Sequence, residues 1–156
     1  MDTIKFAVEK YGKQGASVAA IYINRQSLLD LVREVELPFA GAEGHADIAG
    51  GYTWLWLRWI SDARQHFYGI PEPDYCYHEK TSILECRACG ASGCWPFLVC
   101  IEVTDETVVW SLFEQPHRGK KSKASHWKYE GFGPFVFDRK QCDKALQSLG
   151  AEQPAT

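Results

Sequence analysis

TSILECRACGASGCWPFLVCIEVTDETVVWSLFEQPHR, residues 81–118, holds the clearest strand signal in the chain and four of its six cysteines. With Asp105-Glu106 as a two-residue turn, Thr104 faces Thr107, Val103 faces Val108, Ile101 faces Trp110 and Val99 faces Leu112. The last three pairs are apolar and share one face, and a slip of one residue would turn that face into water, so the register is specified. Asp-Glu is not the Asn-Gly type that best supports a two-residue turn, so a bulged or longer turn with the same facing also fits.

Upstream of this hairpin, Tyr75-Cys76-Tyr77 reads as a short strand turning at His78-Glu79-Lys80 into residues 81–85. At the start of the chain, Ile4, Phe6 and Val8 alternate with polar or small residues, residues 12–15 supply a turn, and 18–23 form a second apolar run. Residues 3–23 are therefore expected to form an antiparallel hairpin. Ser27 and Asp30 fit a capping box, and the leucines and valines that follow give a short helix over 27–36, ending before Pro38. The connection 38–51 carries Glu43, His45 and Asp47 and reads as a polar loop, because no metal motif adds weight to that triplet.

Residues 52–60, YTWLWLRWI, fit both periods. The polar segment that follows ends at Gly69 with Pro71 behind it, which is a helix stop, and a helix is expected over 53–68 with its Trp residues in core and rim. Downstream, residues 127–129 and 135–137 read as short strands. Asp138 with Gln141 caps a helix over 138–149 with Cys142, Ala145, Leu146 and Leu149 on its buried face. The sum is an α+β domain over 1–150: an antiparallel sheet of about five to seven strands covered by two or three helices, with a disordered tail at 151–156.

The totals exclude several classes. A chain of 156 residues, 46% hydrophobic and 24% charged, has the composition of one globular domain. It holds no apolar run of about 18 residues, and its first residues, MDTIKFAVEK, lack the order of a signal peptide, so a cytoplasmic protein with no membrane partner is expected. There, the six cysteines are reduced thiols or metal ligands. A net charge of −3 and a pI near 5.9 argue against a nucleic-acid partner, and the run Arg118-Gly119-Lys120-Lys121-Ser122-Lys123 reads as a solvated loop. The aromatic content of 13% leaves a protein-binding surface open.

One constellation has metal-ligand spacing: Cys86-x-x-Cys89-x4-Cys94, with His117 returned by the hairpin as a fourth ligand. Two thiolates two residues apart can hold one Zn²⁺ from a tight turn, Gly90 and Gly93 let the chain curl back for Cys94, and a closed Cys3His set would be a structural staple. The same residues also read as reduced loop thiols and an ordinary strand-end histidine. A thiol-dependent enzyme is a further reading, either redox through the C-x-x-C pair, which the strand expected after it disfavours, or nucleophilic through Cys89 or Cys94 with His117 or His78 as base, which no common catalytic motif supports. The balance favours a non-enzymatic binding domain with a protein partner, and small size and acidic charge add an immunity- or antitoxin-like protein that blocks a partner as an alternative.

Four segments carry a resemblance: Cys89-Gly90-x-x-Gly93-Cys94-Trp95-Pro96; Phe113-x-Gln115-Pro116-His117-Arg118; Trp127-x-Tyr129 with Phe132-Gly133-Pro134-Phe135-x-Phe137-Asp138-Arg139; and the earlier Leu37-Pro38-Phe39-Ala40-x-x-Glu43-Gly44. Together they resemble a family of short bacterial proteins to which no activity is attached. The resemblance implies a bacterial origin and a shared fold. In that family the first cysteine lies one position nearer the second, so the resemblance matches Cys89, Cys94 and His117 but not Cys86.

Overall fold

A computed structural model describes residues 1–150; the tail at 151–156 lies outside the described residues. Nine strands form one sheet: β1 (Ile4–Tyr11), β2 (Ala16–Ile23), β3 (Gln26–Ser27), β4 (Tyr52–Trp56), β5 (Cys76–Tyr77), β6 (Lys80–Cys86), β7 (Phe97–Val103), β8 (Thr107–Glu114) and β9 (Phe135–Asp138). The main path runs β1-β2-β4-β6-β7-β8-β9, with β3 on β2 and β5 on β6, and every strand pair is antiparallel. An isolated bridge between Asp2 and Phe137 links the two ends of this path. Three helices complete the expected α+β architecture: α1 (Leu28–Ala42), α2 (Ala63–Phe67) and α3 (Arg139–Gly150). Among the described residues, no helix is long and apolar enough to cross a membrane.

The central hairpin forms as expected near its turn. Val103 pairs with Val108 and Ile101 with Trp110, while Thr104 N–H donates to Thr107 O at 2.9 Å. Further from the turn the register changes. Leu98 pairs with Glu114 and Cys100 with Ser111, so β8 carries one extra residue, and Leu112, at φ 54°, points outward with 67% exposure. This bulge reverses the alternation of β8, so that Phe113 and Gln115 turn inward and Val99 does not face Leu112.

Two helix expectations are corrected. Tyr52–Trp56 is a strand, not the first half of a helix over 53–68; it lies between β2 and β6, with Ala19 paired to Leu55 and Trp54 to Leu84. Burial of Tyr52, Thr53, Trp54 and Leu55 on both sheet faces removes the alternation that marks a half-exposed strand. Of the expected helix only a 3-10 turn at Leu57–Trp59 and the short α2 are helical, the latter started by Asp62, whose carboxylate accepts from Gln65 N–H at 3.0 Å. Trp54 is in the core, Trp56 is half-buried and Trp59 is exposed.

Helix α1 continues through Pro38 to Ala42 instead of ending at 36. Proline removes one amide and crowds the carbonyl a turn earlier, that of Glu34, but both Glu34 and Pro38 face solvent, so the freed carbonyl is not buried. The second half of the helix is held from inside: its buried residues are Leu28, Val32, Glu36 and Ala40, spaced four apart. The Ser27 side chain makes no capping bond, and residues 127–129 are not a strand. In α3, Asp138 accepts from Gln141 N–H at 3.1 Å, and Cys142, Leu146 and Leu149 are buried as their spacing implies. The core gathers Phe6, Phe67, Phe97, Trp110 and Phe137.

Candidate metal centre

Cys86 ends β6, paired with Tyr52 of β4, so its thiol starts from a rigid central strand and is 9% exposed. The chain then folds back. Gly90 N–H donates to Cys86 O at 2.7 Å, and Gly90 and Gly93 take φ values of 67° and 80°, a region that favours glycine. At Gly93 there is also no room: a Cβ would lie 2.8 Å from the Tyr77 hydroxyl. Behind the loop, buried Glu85 accepts from Ser82 Oγ at 2.6 Å and from Gly93 N–H at 3.3 Å. Burial pushes the Glu85 carboxyl up to about 7, against those two hydrogen bonds.

These constraints bring the Cys86, Cys89 and Cys94 sulfurs within 4.8 Å of one another. Cys89 and Cys94 are exposed, and all three are free thiols. The Ala91 amide, with the Cys94 and Cys86 side chains, lowers the Cys89 thiol pKa, whereas hydrogen bonding to Cys89 raises that of Cys94 to about 12. Cys94 is thereby the donor toward Cys89. Three soft sulfur donors suit Zn²⁺; a tetrahedral site with Zn–S of about 2.3 Å has sulfurs about 3.8 Å apart, so the trio needs to contract by no more than about 1 Å.

His117 is not in this group. Its ring stacks on Trp95 at 5.6 Å and 13°, and its amide donates to the Gln115 side chain at 2.9 Å. The Gln-Pro-His-Arg segment instead serves packing. Gln115, 1% exposed, donates to Pro96 O at 3.0 Å and to the Tyr52 hydroxyl at 3.1 Å. Arg118 lies between Trp95 and Trp127, at 5.2 and 5.5 Å, and its Nε donates to both Glu43 oxygens at 3.2 Å. His78, the other imidazole considered as a base, pairs with Glu114 at 3.3 Å.

Two polar centres escaped the sequence reading. Glu36, fully buried on α1, accepts from the hydroxyls of Tyr52 and Tyr129, each at 2.6 Å, and from Gly50 N–H at 2.8 Å. Glu43, expected in a polar loop, follows α1 and gathers Arg118, Ser125 and, at 2.5 Å, Trp127 Nε1. Burial alone would raise its carboxyl; the hydrogen bonds from Ser125, Trp127 and Arg118, with the charge of Arg118, hold it below the ordinary carboxylate range. A sequence signal existed for Glu36 alone: it continues the four-residue spacing of Leu28 and Val32.

A cleft of about 420 Å³ adjoins Cys89 and is walled by Trp56, Trp59, Glu72, Asp74 and Tyr75. Compared with protein-family models, curated proteins and solved structures, the chain has no match.

Proposed function

We propose that this chain is a cytoplasmic, non-enzymatic binding domain whose Cys loop is stapled by Zn²⁺ on Cys86, Cys89 and Cys94. The observation that carries the reading is the convergence of three free thiols within 4.8 Å at the end of a central strand. The loop around them is exposed from Arg87 to Ser92 and has few apolar groups to bury, so a metal supplies the folding energy that packing does not. The fourth position falls to water or to a donor from a partner, since His117 is engaged with Trp95.

Protein purified under reducing conditions without chelator is expected to contain one zinc per chain. Cys86→Ser, Cys89→Ser and Cys94→Ser should each lower zinc affinity at least about tenfold, while Cys100→Ser should leave it unchanged. Chelation should lower the melting temperature of the wild type and of Cys100→Ser alike. Metal-free protein whose melting temperature ignores chelator would sink the zinc reading. If one of its thiols also alkylates rapidly well below pH 8, the thiol-dependent enzyme takes its place.

A further inference from the structure

We infer that a basic groove beside the C-terminal half of β8 takes an extended, acidic segment of a partner protein. The groove encloses about 1300 Å³, and none of the three clustered thiols lines it. The inference rests on reading the chain as a binding domain, not on the zinc.

Charge makes the first argument. Lys80, Lys120, Lys121, Lys123 and Lys128 line the groove against only Glu114 and Glu130, in a chain whose net charge is −3. Lys80 is already engaged, 3.1 Å from Glu114 and donating to Leu112 O at 2.7 Å. Among the described residues, the other four lysines are in no ion pair, so they concentrate positive potential where an anion can enter.

The loop that carries three of them is built rather than loose. Trp127 N–H donates to Arg118 O at 2.8 Å, closing residues 118–127 into a ring, and Glu43 holds Arg118 at one end and Ser125 and Trp127 at the other. A loop ordered in advance does not lose that freedom on binding, which favours affinity.

Shape and surface name the occupant. Pairing of β9 with β8 stops at Trp110 and Phe135, so among the described residues no strand lies beside 111–114 of β8 on the groove side, where an extended chain can run. The bulge presents Leu112, 67% exposed, at the edge as an apolar contact. A single-stranded nucleic acid would instead need free ring faces on which bases stack. The groove's large aromatic rings are already engaged: Phe113 with Phe132 at 86° and with Phe97 at 19°, Tyr129 with Phe132 at 70°, and Trp127 with Trp95 at 82°. Glutamate or aspartate side chains alternating with aliphatic ones match lysines and Leu112 together.

The test uses a fluorescein-labelled peptide of about ten alternating Glu and Leu residues, its Gln-Leu counterpart and an oligouridylate of the same length. Anisotropy should show saturable binding of the acidic peptide alone, weakening as salt rises. The K120E/K121E/K123E variant should lose at least about tenfold in affinity. Glu43→Gln, which loosens the loop, should lose about fivefold. Zinc content, measured on every sample, separates a failed staple from a failed groove, and near-UV circular dichroism shows that the variants are folded. The inference is overturned if the acidic peptide does not bind at low salt, binds no better than its Gln counterpart, or is unaffected by the triple reversal. Tighter binding of the oligouridylate would overturn it in favour of a nucleic-acid site.

Discussion

Glu36→Ala is expected to destabilise the fold by about 3–5 kcal/mol, the cost of leaving several buried hydrogen-bonding groups without their common acceptor. The carboxylate is fully buried and accepts from Tyr52, Tyr129 and Gly50, which come from two separate parts of the chain. Tyr52 begins β4, Gly50 precedes it, and Tyr129 lies in the long connection to β9. Removing the acceptor leaves the Gly50 amide unpaired and takes the shared acceptor from two tyrosine hydroxyls, which keep only each other and, for Tyr52, the donor Gln115. Glu36→Gln keeps one acceptor oxygen but turns a donor toward a tyrosine, for a loss of about 1–2 kcal/mol.

The pH dependence of that second variant adds a check. Burial raises the Glu36 pKa above its ordinary value against the three hydrogen bonds, so the fold favours the protonated form relative to the unfolded chain. Its contribution is complete below the ordinary glutamate range and is lost as pH rises through the folded value. The deficit of Glu36→Gln, which does not ionise, should therefore be largest below the ordinary glutamate range and shrink as pH rises through the folded value. Urea titrations with an unchanged m-value provide the measurement, and a loss under about 1 kcal/mol for Glu36→Ala would refute the account.

The contrast between Glu36 and the thiols shows what a sequence carries. Cys86, Cys89 and Cys94 announce themselves by local spacing, because a metal-sized cluster can be built from one loop, and the structure brings all three together. A fourth donor from 23 residues beyond Cys94 depends on side-chain direction, and there the stacking of His117 on Trp95 prevails. The partners of Glu36 are non-local, up to 93 positions away, so the helical spacing can mark Glu36 as inward-facing but no window of sequence contains the groups it gathers. The same distinction runs through the fold. Val103 with Val108 was legible from the turn, but the bulge at Leu112 exchanges one apolar residue for its apolar neighbour Phe113 and leaves no trace in the pattern. Tyr52–Trp56 escaped because a strand buried on both faces has no period to detect.

His66 should make the fold less stable in mild acid. The ring is 2% exposed on α2, flanked by Phe67 at 4.8 Å and Tyr75 at 5.6 Å, with Nε2 2.8 Å from Ser82 O. A carbonyl only accepts, so Nε2 carries the proton. Burial drives the imidazole pKa down to about 4, against the upward pull of the Ser82 carbonyl and of Glu72. Between about pH 6.5 and 4 the unfolded chain therefore takes up a proton that the native state refuses, and stability falls with pH through that window by about 3 kcal/mol. Glu36 and Glu85, both raised by burial, act in the opposite sense over part of the range, so the wild-type curve alone does not isolate the histidine. His66→Gln does, because its amide can still donate to Ser82 O and does not titrate. At pH 7 the variant should be less stable than wild type by about 1–2 kcal/mol for the lost packing. By pH 4 the difference should have reversed, having moved by about 3 kcal/mol in the variant's favour. A constant difference across that range would mean that the folded protein takes up the imidazole proton as readily as the unfolded chain, which its apolar surroundings and its carbonyl partner oppose.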